Sequence, residues 1–156
     1  MRIPLPALLA LCLATSARAD GVAFKRVWPQ WFDADSFQSF YEDHTGQELT
    51  GKWIVLRSQP KERAGFYFLT RVENPGGALA GATFVVRVIA PDSTDTSTFS
   101  FPQDVPKGSH LFEIGLTGSD WNRPRVQPVA WELELRAADG SVLAKSKSFL
   151  WEKGPK

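Results

Sequence analysis

The stretch AWELELRAADGSVLAKSKSFLWE, residues 130–152, decides the fold class. In its first part Trp131, Leu133 and Leu135 alternate with Glu132, Glu134 and Arg136. A period of two with one apolar side describes a strand that buries one face and shows the other to water. Asp139-Gly140 follows, a hairpin signal, because both central positions of a type I′ turn need positive φ. SVLAKSKSFLWE (141–152) then runs back along the first strand. If Lys145 and Lys147 face water, Val142, Ala144, Ser146, Ser148 and Leu150 face inward, which leaves Phe149 and Trp151 outside. Either a bulge shifts the phase near Ser148, or the N-terminal aromatics cover that end. The second arrangement is the expectation.

The same alternation extends upstream. KWIVLR (52–57), GFYFLTRV (65–72), ATFVVRVIA (82–90), TSTFSF (96–101) and HLFEIGLT (110–117) each read as a strand. Phe66, Phe68, Phe84, Val86, Phe112 and Ile114 fall on apolar sides, and Trp53 and Trp131 are core by phase. Turn clusters such as ENPGG (73–77) separate the strands. The predicted fold is therefore mainly β: an antiparallel two-sheet sandwich of about seven strands, each layer covering the other's apolar face. A closed barrel is the structural rival. Ahead of these strands, GVAFKRVWPQWFDA (21–34) crowds Trp28, Trp31 and Phe32 around Pro29 without a clean period, and reads as an extended segment packed along the domain. Next, Phe37, Phe40, Tyr41 and His44 recur at helical spacing behind the N-cap residues Asp33, Asp35 and Ser36, and Gly46 supplies a stop. One short N-terminal helix, roughly 36–44, is expected.

The strand count, their spacing and the closing hairpin resemble an immunoglobulin-like or fibronectin-type-III-like sandwich over about residues 52–151. The cysteine pair of true immunoglobulin domains is absent. The resemblance is one of architecture and implies no particular function.

Residues 1–19 read as a secretory signal: Arg2, an apolar middle, and Ala17-Arg18-Ala19 as the cleavage site. The expected organisation is a signal peptide over 1–19, an N-terminal extended segment and short helix over 20–51, the sandwich over 52–152 and a tail over 153–156. Cys12, the one cysteine, falls in the leader. Export without disulfides suits a bacterial periplasmic or secreted protein. Without Arg2 and Arg18 the 18 basic residues fall to 16, against 17 acidic. That balance argues against a nucleic-acid partner, and no later segment is apolar enough to span a membrane.

Familiar catalytic patterns fail one after another. The two histidines, His44 and His110, are each in phase with apolar neighbours, and no H-E-x-x-H or G-x-S-x-G occurs. GGALAG (76–81) reads as a flexible hairpin connection, since a strand follows it rather than a helix and no Lys-Ser/Thr closes it. Glu132 and Glu134 read as solvated outward acids. Asp33 with Asp35, and Asp92 with Asp95, lack the full calcium-loop spacing. No cofactor and no metal is expected.

What remains is loop material. Trp121 lies among Asp120, Asn122, Arg123 and Arg125, and Trp and Arg are favoured anchors at protein interfaces. Against that stands a structural role, with Trp121 folded back over the open end of the sandwich. Trp28, Trp31, Arg57, Lys61 and Arg63 form a second candidate group. The reading is an exported, non-enzymatic interaction or accessory module that binds another envelope or secreted protein through end loops or a sheet edge. Two alternatives are a carbohydrate- or small-ligand-binding module, with a glycan stacked on the loop tryptophan, and a hydrolase whose site carries no recognisable motif.

Overall fold

Alternating apolar residues build two layers. The computed structural model describes residues 21–37 and 53–152. Within them lie eight strands: β1 (Ala23–Phe32), β2 (Trp53–Arg57), β3 (Gly65–Asn74), β4 (Thr83–Ile89), β5 (Thr96–Pro102), β6 (Gly108–Thr117), β7 (Ala130–Arg136) and β8 (Val142–Lys147). One sheet has the order β1-β3-β6-β2 and the other β5-β4-β7-β8. They pack face to face as a β-sandwich. Phe66, Phe68, Phe112, Ile114 and Leu116 from the first sheet meet Phe84, Val86, Leu133 and Leu135 from the second. Phe84 and Phe112 join the layers at 4.8 Å, and Phe68 and Trp131 at 5.3 Å. Each such side chain contributes about 1.5–3 kcal/mol through burial.

The N-terminal segment is more than a packed extension. It is a full edge strand, β1, paired antiparallel with β3. Its missing period has a cause: the register breaks between Phe24 and Arg26, so the alternation slips. Pro29 is tolerated there because an edge strand has one side free of ladder bonds.

The first sheet is mixed rather than purely antiparallel. β2 runs parallel to β6, with Ile54 opposite Phe112 and Leu56 opposite Ile114. Ile54 and Leu56 pack on the core, which turns Trp53 to the other side, where it is 52% exposed. The expectation of a core Trp53 is thereby corrected: the inward phase of this strand starts one residue later.

Among the described residues the α-helix is C-terminal, not N-terminal. A 3-10 turn spans Ala34–Phe37, and the rest of the predicted 36–44 helix, with His44, lies outside the described residues. So do residues 1–19, expected to form a leader, and the expected 153–156 tail. The C-terminal helix α1 (Phe149–Glu152) ends the strand pattern. Ser148 starts it as an N-cap: its Oγ accepts the Trp151 N–H at 3.4 Å and also the Trp131 N–H at 2.9 Å. The phase conflict of Phe149 and Trp151 dissolves because the chain has already left the sheet. Phe149 is exposed and Trp151 half-buried. Among the described residues no helix is long and apolar enough to cross a membrane.

Two turns also differ from expectation. In the β7–β8 hairpin Gly140 has φ +85°, while Asp139 stays at negative φ. The Gly140 N–H bonds the Ala137 carbonyl at 2.9 Å, and Ala137 N–H bonds Ser141 O. That is a tight turn closed by one left-handed glycine, not a type I′ turn. The 76–81 segment is a crossover between sheets, not a hairpin. It is pinned by a bridge between Leu79 and Val105 and by Asn74 Nδ2, which donates to the Gly77 carbonyl at 2.6 Å.

Candidate functional site

The 3-10 turn Gly118–Trp121 leaves β6 and carries Trp121 back over the end of the sandwich. Its ring is 2% exposed, 5.9 Å from Phe66, and belongs to the core cluster. Its Nε1 donates to the Val126 carbonyl at 3.1 Å. The Arg123 guanidinium sits 5.3 Å from the ring centre, and its Nη2 reaches both Asp92 oxygens at 2.8 and 3.0 Å. That contact holds the Asp92 carboxyl below its usual range, first through the hydrogen bond from Arg123. Arg123 thus ties the loop after β4 to the loop after β6. Arg125 and Asn122 are exposed, with Arg125 at positive φ (60°) and 4.0 Å from Asp33. Within this group the structure brings together Trp121 and Arg123, with Asp92 as the added partner.

Asp120 turns toward a different feature. Its Oδ2 accepts from Gln59 Nε2 at 3.0 Å, in the β2–β3 connection. That connection is fastened to the end of β6: Gln59 N–H donates to Thr117 Oγ1, and Thr117 N–H donates to Ser58 Oγ. Between this connection and β5 lies an open cleft of about 470 Å³. Val55, Leu56 and Pro60 line one side, and Phe99, Phe101 and Pro102 the other. Arg57 and Asp120 also border it. The cleft marks the side of the sandwich where β2 and β5, the edge strands of the two sheets, come together.

Of the secondary group, Arg57 and Arg63 meet at Tyr67. Arg57 Nε donates to the Tyr67 hydroxyl at 3.0 Å, and that hydroxyl donates to the Arg63 carbonyl at 2.6 Å. Tyr67 is fully buried although it lies on the side of β3 opposite the core. It can lie flat there because its neighbour on β6 is Gly115, where a Cβ would come within 3 Å of the ring. Lys61 is exposed. Trp31 packs on the core and its Nε1 donates to Asp33 Oδ1 at 3.0 Å. Trp28 is half-buried under Arg26, whose guanidinium is 4.2 Å from the ring centre.

The second sheet's outer face carries a charge network where solvated acids were expected. Glu132 and Glu134 are 5% and 3% exposed. Arg87 reaches Glu132 at 2.7 Å and Glu134 at 3.3 Å. Arg136 bonds Glu134 at 2.6 Å, and Lys145 bonds it at 2.9 Å. Burial, the largest single influence on Glu134, pushes its pKa up. Hydrogen bonds from Lys145 and Arg136 and the charge of Arg87 together outweigh it, so the net direction is down. Lys145 is raised, first by its bond to Glu134. The outward phase of the glutamates was legible. Their burial was not, because it depends on long cations contributed by β4 and β8.

The edges differ in a way that sequence reasoning missed. β1 carries Lys25, Arg26, Pro29 and a register break. β8 carries Lys145 and Lys147, and its pairing with β7 also breaks register. β2 carries Arg57 within its five described residues. β5, TSTFSFP, holds no charge and pairs residue for residue with β4 from end to end. The signal was present in its composition, seven residues without Lys, Arg, Asp or Glu. Among the described residues no three of His, Cys, Asp and Glu are placed to hold a metal ion. No protein-family model matches the chain, and no curated protein matches it as a relative.

Proposed function

We propose that this chain is an exported, non-enzymatic interaction module that takes up an extended segment of a protein partner along β5. The observation that carries the reading is the charge-free β5 edge beside the cleft it shares with β2. Natural sheets blunt their edges with charges, prolines, bulges or short strands, because an open edge is a template for pairing. β1 and β8 are blunted by charges and register breaks, whereas β5 carries no charge and no register break, and its one proline, Pro102, stands at its last position. A strand added to β5 would gain ladder hydrogen bonds and would point alternate side chains toward the cleft, where Val55, Leu56 and Pro60 are bordered by Arg57 and Asp120. The leader-like N-terminus supports export to the periplasm or medium. The two-layer arrangement supports the immunoglobulin-like or fibronectin-type-III-like kinship, which by itself selects no partner.

The edge is favoured over the end loops because Trp121 is buried and Arg123 is engaged with Asp92. A photo-crosslinking residue at Thr98, in cells that express the chain natively, should give a discrete protein adduct. The same residue at Lys145 on β8 should not. Equal labelling from both positions, or none from either, would remove β5 as the contact.

A further inference from the structure

We infer that the strand taken up by β5 is β5 of a second copy, paired antiparallel about a two-fold axis at Phe99. This rests on the reading of β5 as a pairing edge and names the occupant. The argument begins with charge. An interface to a different protein is commonly specified by complementary charges, and β5 offers none. An edge with charges of one sign would repel its own copy, as β8 with Lys145 and Lys147 would. β5 meets no such penalty, and the whole chain carries a formal net charge of only +1.

The sequence is also complementary to itself. Laid antiparallel about Phe99, Thr98 faces Ser100 of the second copy and Ser100 faces its Thr98. These are hydroxyl pairs on the outer face, where both residues are exposed. On the inner face the two Phe99 rings meet, and Ser97 faces Phe101. A small residue thus opposes a large one on either side of the central aromatic pair. Phe99 and Phe101 of the inner face line the cleft, together with Ser100 and Pro102 of the outer face. The second copy therefore brings its Phe99 and Phe101 rings to a cleft lined, among the described residues, by Val55, Leu56 and Pro60 with Arg57 and Asp120 at its border, and receives the same in return. The product is one continuous eight-stranded sheet, with Thr96 opposite Pro102, which has no N–H to donate, at either end of the new ladder.

The test uses two double variants of the full-length chain, compared by sedimentation equilibrium. Thr98→Lys with Ser100→Lys sets lysine against lysine twice across the axis. Thr98→Lys with Ser100→Asp sets lysine against aspartate twice, with the same positions altered. Both side chains are exposed, so thermal midpoints close to wild type should show that each variant folds. The expected result is a wild-type dimer at tens of micromolar, dissociation at least tenfold weaker in affinity for the lysine pair, and dimer recovered in the lysine–aspartate pair. A wild-type monomer at the highest soluble concentration, or a dimer indifferent to both variants, overturns the inference. If the wild type is monomeric, the Thr98 crosslink still separates the two proposals. A heterologous adduct there keeps β5 as a partner edge, and no adduct removes both.

Discussion

At Trp121 the indole is held in three ways: against Phe66, by the bond from its N–H to the Val126 carbonyl, and beneath the Arg123 guanidinium. Removing so large a buried ring leaves a void that the end of the sandwich cannot collapse to fill. Trp121→Ala should cost about 3–5 kcal/mol, seen as a fall in the urea midpoint. Arg123→Ala, which loses a contact with a solvent-exposed Asp92, should move the midpoint little. A midpoint unchanged by Trp121→Ala would mean that the ring bears no structural load. The sequence offered both fates for this residue. A large apolar side chain in a polar loop announces that it has a use, but its neighbours do not say whether the ring turns in or out. The turn geometry after β6 makes that choice, with Gly118 at φ +57° starting the reversal.

Among the elements, β4, β7 and β8 are joined on their outer face by the Arg87, Glu132, Glu134, Arg136 and Lys145 network. The linkage has a definite sign. Glu134 titrates lower in the folded chain, so its contribution is complete above the ordinary glutamate value of about 4.3 and is lost as pH falls through the folded value. Lys145 titrates higher, so its contribution is complete below about 10.4 and is lost as pH rises past it. Glu134→Gln should lower stability at neutral pH by about 1–3 kcal/mol and flatten the acid-side decline that sets in below the ordinary glutamate value of about 4.3. Urea titrations across that range read both effects, and an unchanged acid slope would contradict the assignment. Most elements were legible because β4, β5, β7 and the central pair β3–β6 alternate; in β8 a register break puts Leu143 and Ala144 on the core and leaves Val142, expected inside, exposed. β1 was not, since a register break and a proline interrupt its period. The direction of β2 was not either, because alternation tells which side chains are buried and nothing about whether a neighbour runs the same way or the opposite way.

At the level of the whole molecule, the charge-free β5 edge and the cleft beside it are joint products of topology. β2 and β5 end the two sheets on one side, while β1 and β8 lie close together on the other. The parallel placement of β2 has a further effect, on time rather than on shape. Among the described strands it pairs with β6 alone, so Ile54 must wait for Phe112, and β6 is itself framed by β3. A strand that can be seated only after distant chain has been organised joins after the rate-limiting barrier. Ile54→Ala should therefore speed unfolding in stopped-flow denaturant jumps while leaving refolding within about twofold, whereas Phe68→Leu at the centre of β3 should slow refolding. Comparable slowing of refolding by both would place β2 in the nucleus. Damage confined to this late strand would shorten the lifetime of the native protein without delaying its formation, so such a variant would be produced at a normal pace and worn away by proteolysis.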